Sequence, residues 1–177
     1  AGLALEGKIP FVNSFAAFIA MRACEQVRTD IAYPNLNVKL VVSHAGLSAG
    51  SAGPSHHSIE DIGIMRSIPN MAVLCPGDEE EMKQVLEASI EIDGPVYIRM
   101  SAMDCPNIYT DKNKFNIGKA TILREGLDIT LVSTGTMMNE AMQVSDILDR
   151  EYGISSEVLQ MASLKPFDVD TISNSIK

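Results

Sequence analysis

The chain has 177 residues, enough for one sizeable α/β domain or for one domain and part of a second. Hydrophobic residues make up 46% and charged residues 21%, a globular balance that excludes intrinsic disorder. The net charge of −9, with no Lys/Arg cluster, argues against a nucleic-acid binder, and no apolar run reaches the ~20 residues of a membrane helix.

In chain order, residues 1–7 (AGLALEG) read as the last turns of a helix that Gly7 closes, followed by a strand over Ile9–Asn13. Ser14 stands where a helix cap belongs. Phe15–Arg28 then reads as a mostly apolar helix, with Phe15, Phe18 and Met21 on one stripe. Such a stripe either faces a core or offers a platform to a planar ring. Val38–Ser43 (VKLVVS) is β-branched with little alternation, the pattern of a central parallel strand covered on both faces. Ile59–Arg66 reads as a short helix with acids in its first turn and Met71–Cys75 as a buried strand. Asp78 reads as the cap of a helix opening on DEEE, and Val96–Met100 as a further strand. Residues 101–116, with Pro106, Asn107, Asp111 and Asn113, have no periodicity and read as a linker. Strands over Ala120–Leu123 and Asp128–Ser133, a helix over Glu140–Tyr152 ended by Gly153, and a strand over Ile154–Leu159 complete the series. Strands alternating with helices predict the α/β class, with parallel β-α-β units and a parallel sheet flanked by helices. A domain boundary is expected near residue 115. Both ends read as cut, because residue 1 is not Met and residues 168–177 begin a helix that stops.

Between the second strand and the next helix lies the loop His44–Ser58 (HAGLSAGSAGPSHHS), with three glycines, one proline and all three histidines of the chain. Ligands in open parallel sheets bind beyond the carboxyl ends of strands, glycines let backbone approach a ligand, and imidazoles move protons near neutral pH. Composition alone leaves this loop open between a functional site and a Gly/Ser loop with incidental histidines. Residues 46–50 (GLSAG) fit the nucleophile elbow G-x-S-x-G, with Ser48 as the nucleophile. An elbow must run straight into a helix, however, and here more Gly, Ser and Pro follow. No Walker A, G-x-G-x-x-G, H-E-x-x-H or C-x-x-C motif occurs, so no metal site is assigned. Cys24, Cys75 and Cys105 fit neither a zinc site nor a redox pair. Cys24 and Cys75 read as small buried hydrophobes, and a reducing cytoplasm fits them.

The segments AGLALEGKIPFVNSFAAFIAMRA, SHAGLSAGSAGPSHHSIED, MRSIPNMAVLCPGDEEEM and GPVYIRM resemble, in order, the C-terminal half of transketolases, most of all the split form made of two chains. Deoxyxylulose-phosphate synthases share the G-P-S-H-H-S-I-E-D and R-S-I-P-N-M patterns, and 2-oxo acid dehydrogenase beta subunits are more distant. The resemblance implies a pyrimidine-binding domain over residues 1–115 and the start of a C-terminal domain over 116–177. It implies thiamine diphosphate as cofactor, with its diphosphate and Mg2+ held by a partner, the N-terminal transketolase half. The implied activity is transfer of a two-carbon ketol unit between sugar phosphates of the pentose phosphate pathway, in a homo-dimer or hetero-oligomer. Alternatives within the resemblance are a 1-deoxy-xylulose-5-phosphate synthase-like enzyme and a non-catalytic subunit. Residue by residue, Phe15 and Phe18 match aromatics that contact the aminopyrimidine ring, and Met21 takes a position that is aromatic in many transketolases. His44 and His56 match histidines that face the ketose donor, and His57 stands where many relatives carry glutamine. Three departures accompany the match. The family's glutamate that protonates the aminopyrimidine falls upstream of residue 1, so the polypeptide alone is not expected to turn over. Ala52 replaces a donor-reading aspartate. Ser101-Ala102-Met103 stands where a phosphate-binding arginine is usual, leaving Arg99 either to bind substrate phosphate or to form a structural ion pair.

Overall fold

The computed structural model describes residues 1–110 and 112–176; Asp111, read above as part of the linker, and Lys177 lie outside them. The chain divides into two compact units, residues 1–74 with 86–104 and residues 75–85 with the stretch from 105 onward.

The first unit opens with a short helix α1 (Gly2–Leu5), closed as expected at Gly7, which has φ 75° and donates its N–H to the Ala4 carbonyl at 3.0 Å. Strands β1 (Phe11–Phe15), β2 (Lys39–Ser43), β3 (Ala72–Leu74) and β4 (Val96–Arg99) then form a parallel array in the order β1-β2-β4-β3. The β-branched runs explain the centre of the array. Leu40, Val42, Val73, Leu74, Val96, Tyr97 and Ile98 are all buried, because helices cover both faces of a parallel sheet. Lys39 is also buried, and its Nζ donates to the Ile92 and Gly94 carbonyls at 2.8 and 2.9 Å.

The helix expected over Phe15–Arg28 is not one regular helix. β1 pairs residue for residue with β2 as far as Phe15↔Ser43, so Ser14 and Phe15 are held extended and Ser14 caps nothing. After it come a π-helical turn over Phe18–Arg22, one α-turn α2 (Cys24–Gln26) and a second π-helical turn over Val27–Ala32. Bonds spanning five residues mark both wide turns, from Ala23 N–H to the Phe18 carbonyl and from Tyr33 N–H to the Arg28 carbonyl, each 2.9 Å. The even three-residue stripe through Phe15, Phe18 and Met21 is therefore replaced by one strand residue and two residues of a wide turn. Helix α3 (Asp61–Ser67) follows the glycine loop. Cys75 is buried as expected, whereas Cys24 is half-buried.

Helix α4 (Glu79–Ile90) begins in the second unit and ends in the first. Asp78 caps it as predicted: Oδ1 accepts from Glu81 N–H at 2.8 Å, and Oδ2 accepts from Ile108 and Tyr109 N–H at 2.7 and 2.8 Å. Glu81 is buried, and desolvation pushes its carboxyl up to about 7, against the pull of hydrogen bonds from Gln160 and Gly77.

The second unit holds β5 (Thr121–Arg124), β6 (Ile129–Ser133), helix α5 (Met137–Ile147) with a π-helical extension over Leu148–Tyr152, β7 (Ser156–Gln160), a short strand β8 (Ser163–Lys165) and helix α6 (Val169–Ser175). Gly153 ends the α5 extension in the left-handed region, as read from sequence. The sheet β5-β7-β6 is not wholly parallel. β6 runs parallel to β7, but β5 runs antiparallel to it, because the four residues between β5 and β6 can only reverse the chain. Among the described residues no helix is long and apolar enough to cross a membrane.

Candidate functional site: a ring and histidine cluster

Four of the residues singled out from sequence meet at the carboxyl ends of β1 and β2. Phe15 ends β1 and lies beside Ser43, the last residue of β2. His44 comes next and adopts φ 57°, a left-handed backbone that folds its imidazole back over the phenyl ring. The two rings stack at 4.0 Å and 18°. Phe18, at the start of the π-helical turn, lies parallel to Phe15 at 5.6 Å and 9°. His56 reaches across from the far side of the loop and meets both phenyl rings edge-on, at 5.8 Å from Phe15 and 5.2 Å from Phe18. Arg22, which sequence reading passed over, sets its guanidinium 4.5 Å over the Phe18 ring. Its only signal was the i,i+4 spacing from Phe18.

Both histidines follow a serine, and the structure uses this. Ser43 Oγ lies 3.0 Å from His44 Nδ1, and Ser55 Oγ lies 3.0 Å from His56 Nδ1. Each contact engages Nδ1, so Nε2 is the nitrogen left for a substrate. His57 turns elsewhere, and its Nε2 donates to the Gly50 carbonyl at 3.1 Å inside the loop. Met21 stands on the same wide turn as Phe18, 40% exposed.

The loop is closed at its neck. Gly46 and Ser58 form an antiparallel bridge, with N–H to carbonyl distances of 2.8 and 2.9 Å. Ser48 donates to the Ala45 carbonyl at 2.7 Å and accepts from Ala102 N–H at 3.0 Å. One bond stays inside the loop and the other ties it to the segment after β4, so the hydroxyl is engaged on both sides and residues 46–50 form a turn and not a nucleophile elbow. Arg99 lies at the end of β4, 17% exposed, with its Nε 2.8 Å from Asp61 Oδ2. The buried Asp61 also accepts from Tyr97 Oη at 2.9 Å. Of the two readings left open for Arg99, the ion pair is the one formed. Asp61 was missed because an acid at the start of a helix reads as a dipole partner.

The cluster gathers two parallel, half-buried phenyl rings and two imidazoles; Phe15 carries His44 on one face and Phe18 carries the Arg22 guanidinium, so a planar ring would use what these leave open. Among the described residues no group of three or more His, Cys, Asp or Glu is placed to hold a metal ion.

Comparison with known proteins identifies the family. The family model described as transketolase, pyrimidine binding domain, matches residues 1–107, and that described as transketolase, C-terminal domain, matches residues 118–177. A protein of Methanocaldococcus jannaschii described as a transketolase C-terminal section is 46% identical over 177 residues, covering 99% of this chain and 56% of the relative. The 6-deoxy-6-sulfo-D-fructose transketolase subunit of Clostridium sp. (strain MSTE9) is 43% identical over 175 residues, covering 99% of this chain and 54% of that one. A solved split-gene transketolase, an inactive beta4 tetramer, superposes with a TM-score of 0.89 at 41% identity, covering 98% of this chain and 56% of the other. The chain thus spans about half the length of the relatives it matches, and it belongs to the transketolase family.

Proposed function

We propose that this chain is the pyrimidine-binding half of a two-chain, thiamine-diphosphate-dependent transketolase that moves a two-carbon ketol unit between sugar phosphates. The observation that carries the reading is the Phe15–Phe18–His44–His56 cluster at the carboxyl ends of β1 and β2. Phe15 and Phe18, with Met21 beside them, hold the aminopyrimidine ring. Bound thiamine diphosphate supplies the chemistry by which the carbon–carbon bond is broken and remade. His44 and His56 present Nε2 to the donor, holding its hydroxyls and moving the proton that accompanies bond cleavage. The Ser43 and Ser55 hydroxyls fix the ring orientation for that task.

Magnesium and the diphosphate belong to a separate N-terminal half, so both halves are needed for turnover. The pyrimidine-binding domain runs to about residue 115, and a C-terminal domain begins after it. Three free thiols suit a reducing cytoplasm, and the proposed assembly is a dimer or hetero-oligomer. Arg99 serves the site from behind the loop. The neighbouring relative that acts on a sulfo-sugar extends the donor class beyond the pentose phosphate pathway.

The test mixes the full-length chain with its N-terminal half, thiamine diphosphate and Mg2+ and follows a ketose donor and an aldose acceptor. Two-carbon transfer that needs both chains is expected. A loaded assembly that forms neither the aldose shortened by two carbons nor the ketose lengthened by two overturns the reading.

A further inference from the structure

Each candidate histidine stands two residues before one member of the bridge that closes the loop: His44 before Gly46, His56 before Ser58. Whatever fixes that bridge fixes both imidazoles over Phe15. Three contacts fix it from behind. The Arg99 guanidinium lies directly against the bridge, since a Cβ added at Gly46 would sit 3.5 Å from Arg99 Nη2. Asp61, three residues beyond Ser58, binds Arg99 Nε at 2.8 Å and Tyr97 Oη at 2.9 Å, so two side chains of β4 grip the carboxylate. The backbone just after β4 joins in, because Ala45 N–H donates to the Met100 carbonyl at 3.1 Å.

Asp61 is fully buried, and its Oδ1 has no hydrogen-bond partner among the described residues. A buried carboxylate with one oxygen unsatisfied costs stability, and a buried ion pair is weak evidence for a purely stabilising role. We propose that Asp61 is a positioning residue for the reaction. Through Arg99 and Tyr97 it clamps the neck of the loop to β4 and so sets where His44 and His56 meet the donor. This inference rests on the transketolase reading for its kinetic consequence, but its structural half does not.

The experiment compares wild type and Asp61→Asn in the full-length chain assembled with its N-terminal half, by double-mutant cycle with His56→Ala. Asp61→Asn is expected to lower kcat/KM for the donor by about 10–100-fold, as small misplacements of catalytic groups do. Its cost should be clearly smaller in the His56→Ala background, because the share that acts through His56 is already lost. The affinity for thiamine diphosphate should hold, since the Phe15–Phe18 platform is formed by β1 and the turn after it. NMR of the imidazole side chains gives a readout free of turnover, with His44 and His56 signals shifting in Asp61→Asn. If that variant does not fold, Tyr97→Phe removes one of the two grips and should show the same pattern at smaller size. Additive costs in the cycle, or a folded variant whose imidazole signals stay in place, overturn the clamp. An assembly without ketol transfer, whose imidazole signals nevertheless move in Asp61→Asn, overturns the proposed function and leaves the clamp standing.

Discussion

At the residue scale, His44 shows how the fold uses local strain. Its φ of 57° is the left-handed conformation that disfavours any side chain with a Cβ, and it is accepted because it lays the imidazole on Phe15 at 4.0 Å. His44→Ala keeps the strain and loses the stack, whereas His44→Gly loses the stack but relieves the strain. The glycine variant is expected to be more stable than the alanine variant by about 1 kcal/mol in chemical denaturation. Equal stabilities, or a more stable alanine variant, would show that residue 44 is not held left-handed. The candidate residues were legible here because their types are rare and clustered: all three histidines fall in one glycine-rich loop after one strand. Asp61 and Arg22 were not, since an acid beginning a helix and an arginine in an apolar helix have ordinary surface explanations.

At the scale of elements, the strand runs were readable because parallel strands buried on both faces carry nearly continuous apolar sequence, as in VKLVVS and MAVLC. The helix over Phe15–Arg28 was misread because periodicity cannot detect that β1 continues through Phe15 by pairing with Ser43, nor that the turns after it widen to five-residue bonds. The antiparallel β5 was likewise invisible to local pattern, which reports strand identity and not direction. Helix α4 carries a testable electrostatic consequence. Burial raises the Glu81 carboxyl from 4.5 to about 7, so between these pH values the folded chain keeps a proton that the unfolded chain has released. Glu81 therefore adds stability that is full below about pH 4.5 and is lost as pH rises through about 7. Glu81→Gln should abolish this component, so its melting temperature should change less across that window than that of wild type. Parallel curves for the two proteins would contradict the assignment.

At the scale of the whole molecule, the packing and the chain order divide the protein differently. The family matches run continuously, over residues 1–107 and 118–177, while residues 75–85 pack with the later unit. Glu81 shows why sequence could not reveal this. Its Oε2 accepts from Gln160 Nε2 at 2.9 Å across 79 residues, a pairing that no local pattern records. The ring and histidine cluster lies wholly within the first unit, so its geometry does not depend on the arrangement of the two. That makes cofactor affinity the most direct test of the central claim that this cluster is the ring-binding and donor-facing site. Titration of thiamine diphosphate with Mg2+ into the assembled two-chain complex is the measurement. Phe18→Ala is expected to weaken binding by about 2–12-fold, the equivalent of a lost aromatic stack of about 0.5–1.5 kcal/mol, while His56→Ala binds as wild type does. A Phe18→Ala complex that binds the cofactor as tightly as wild type would contradict the account.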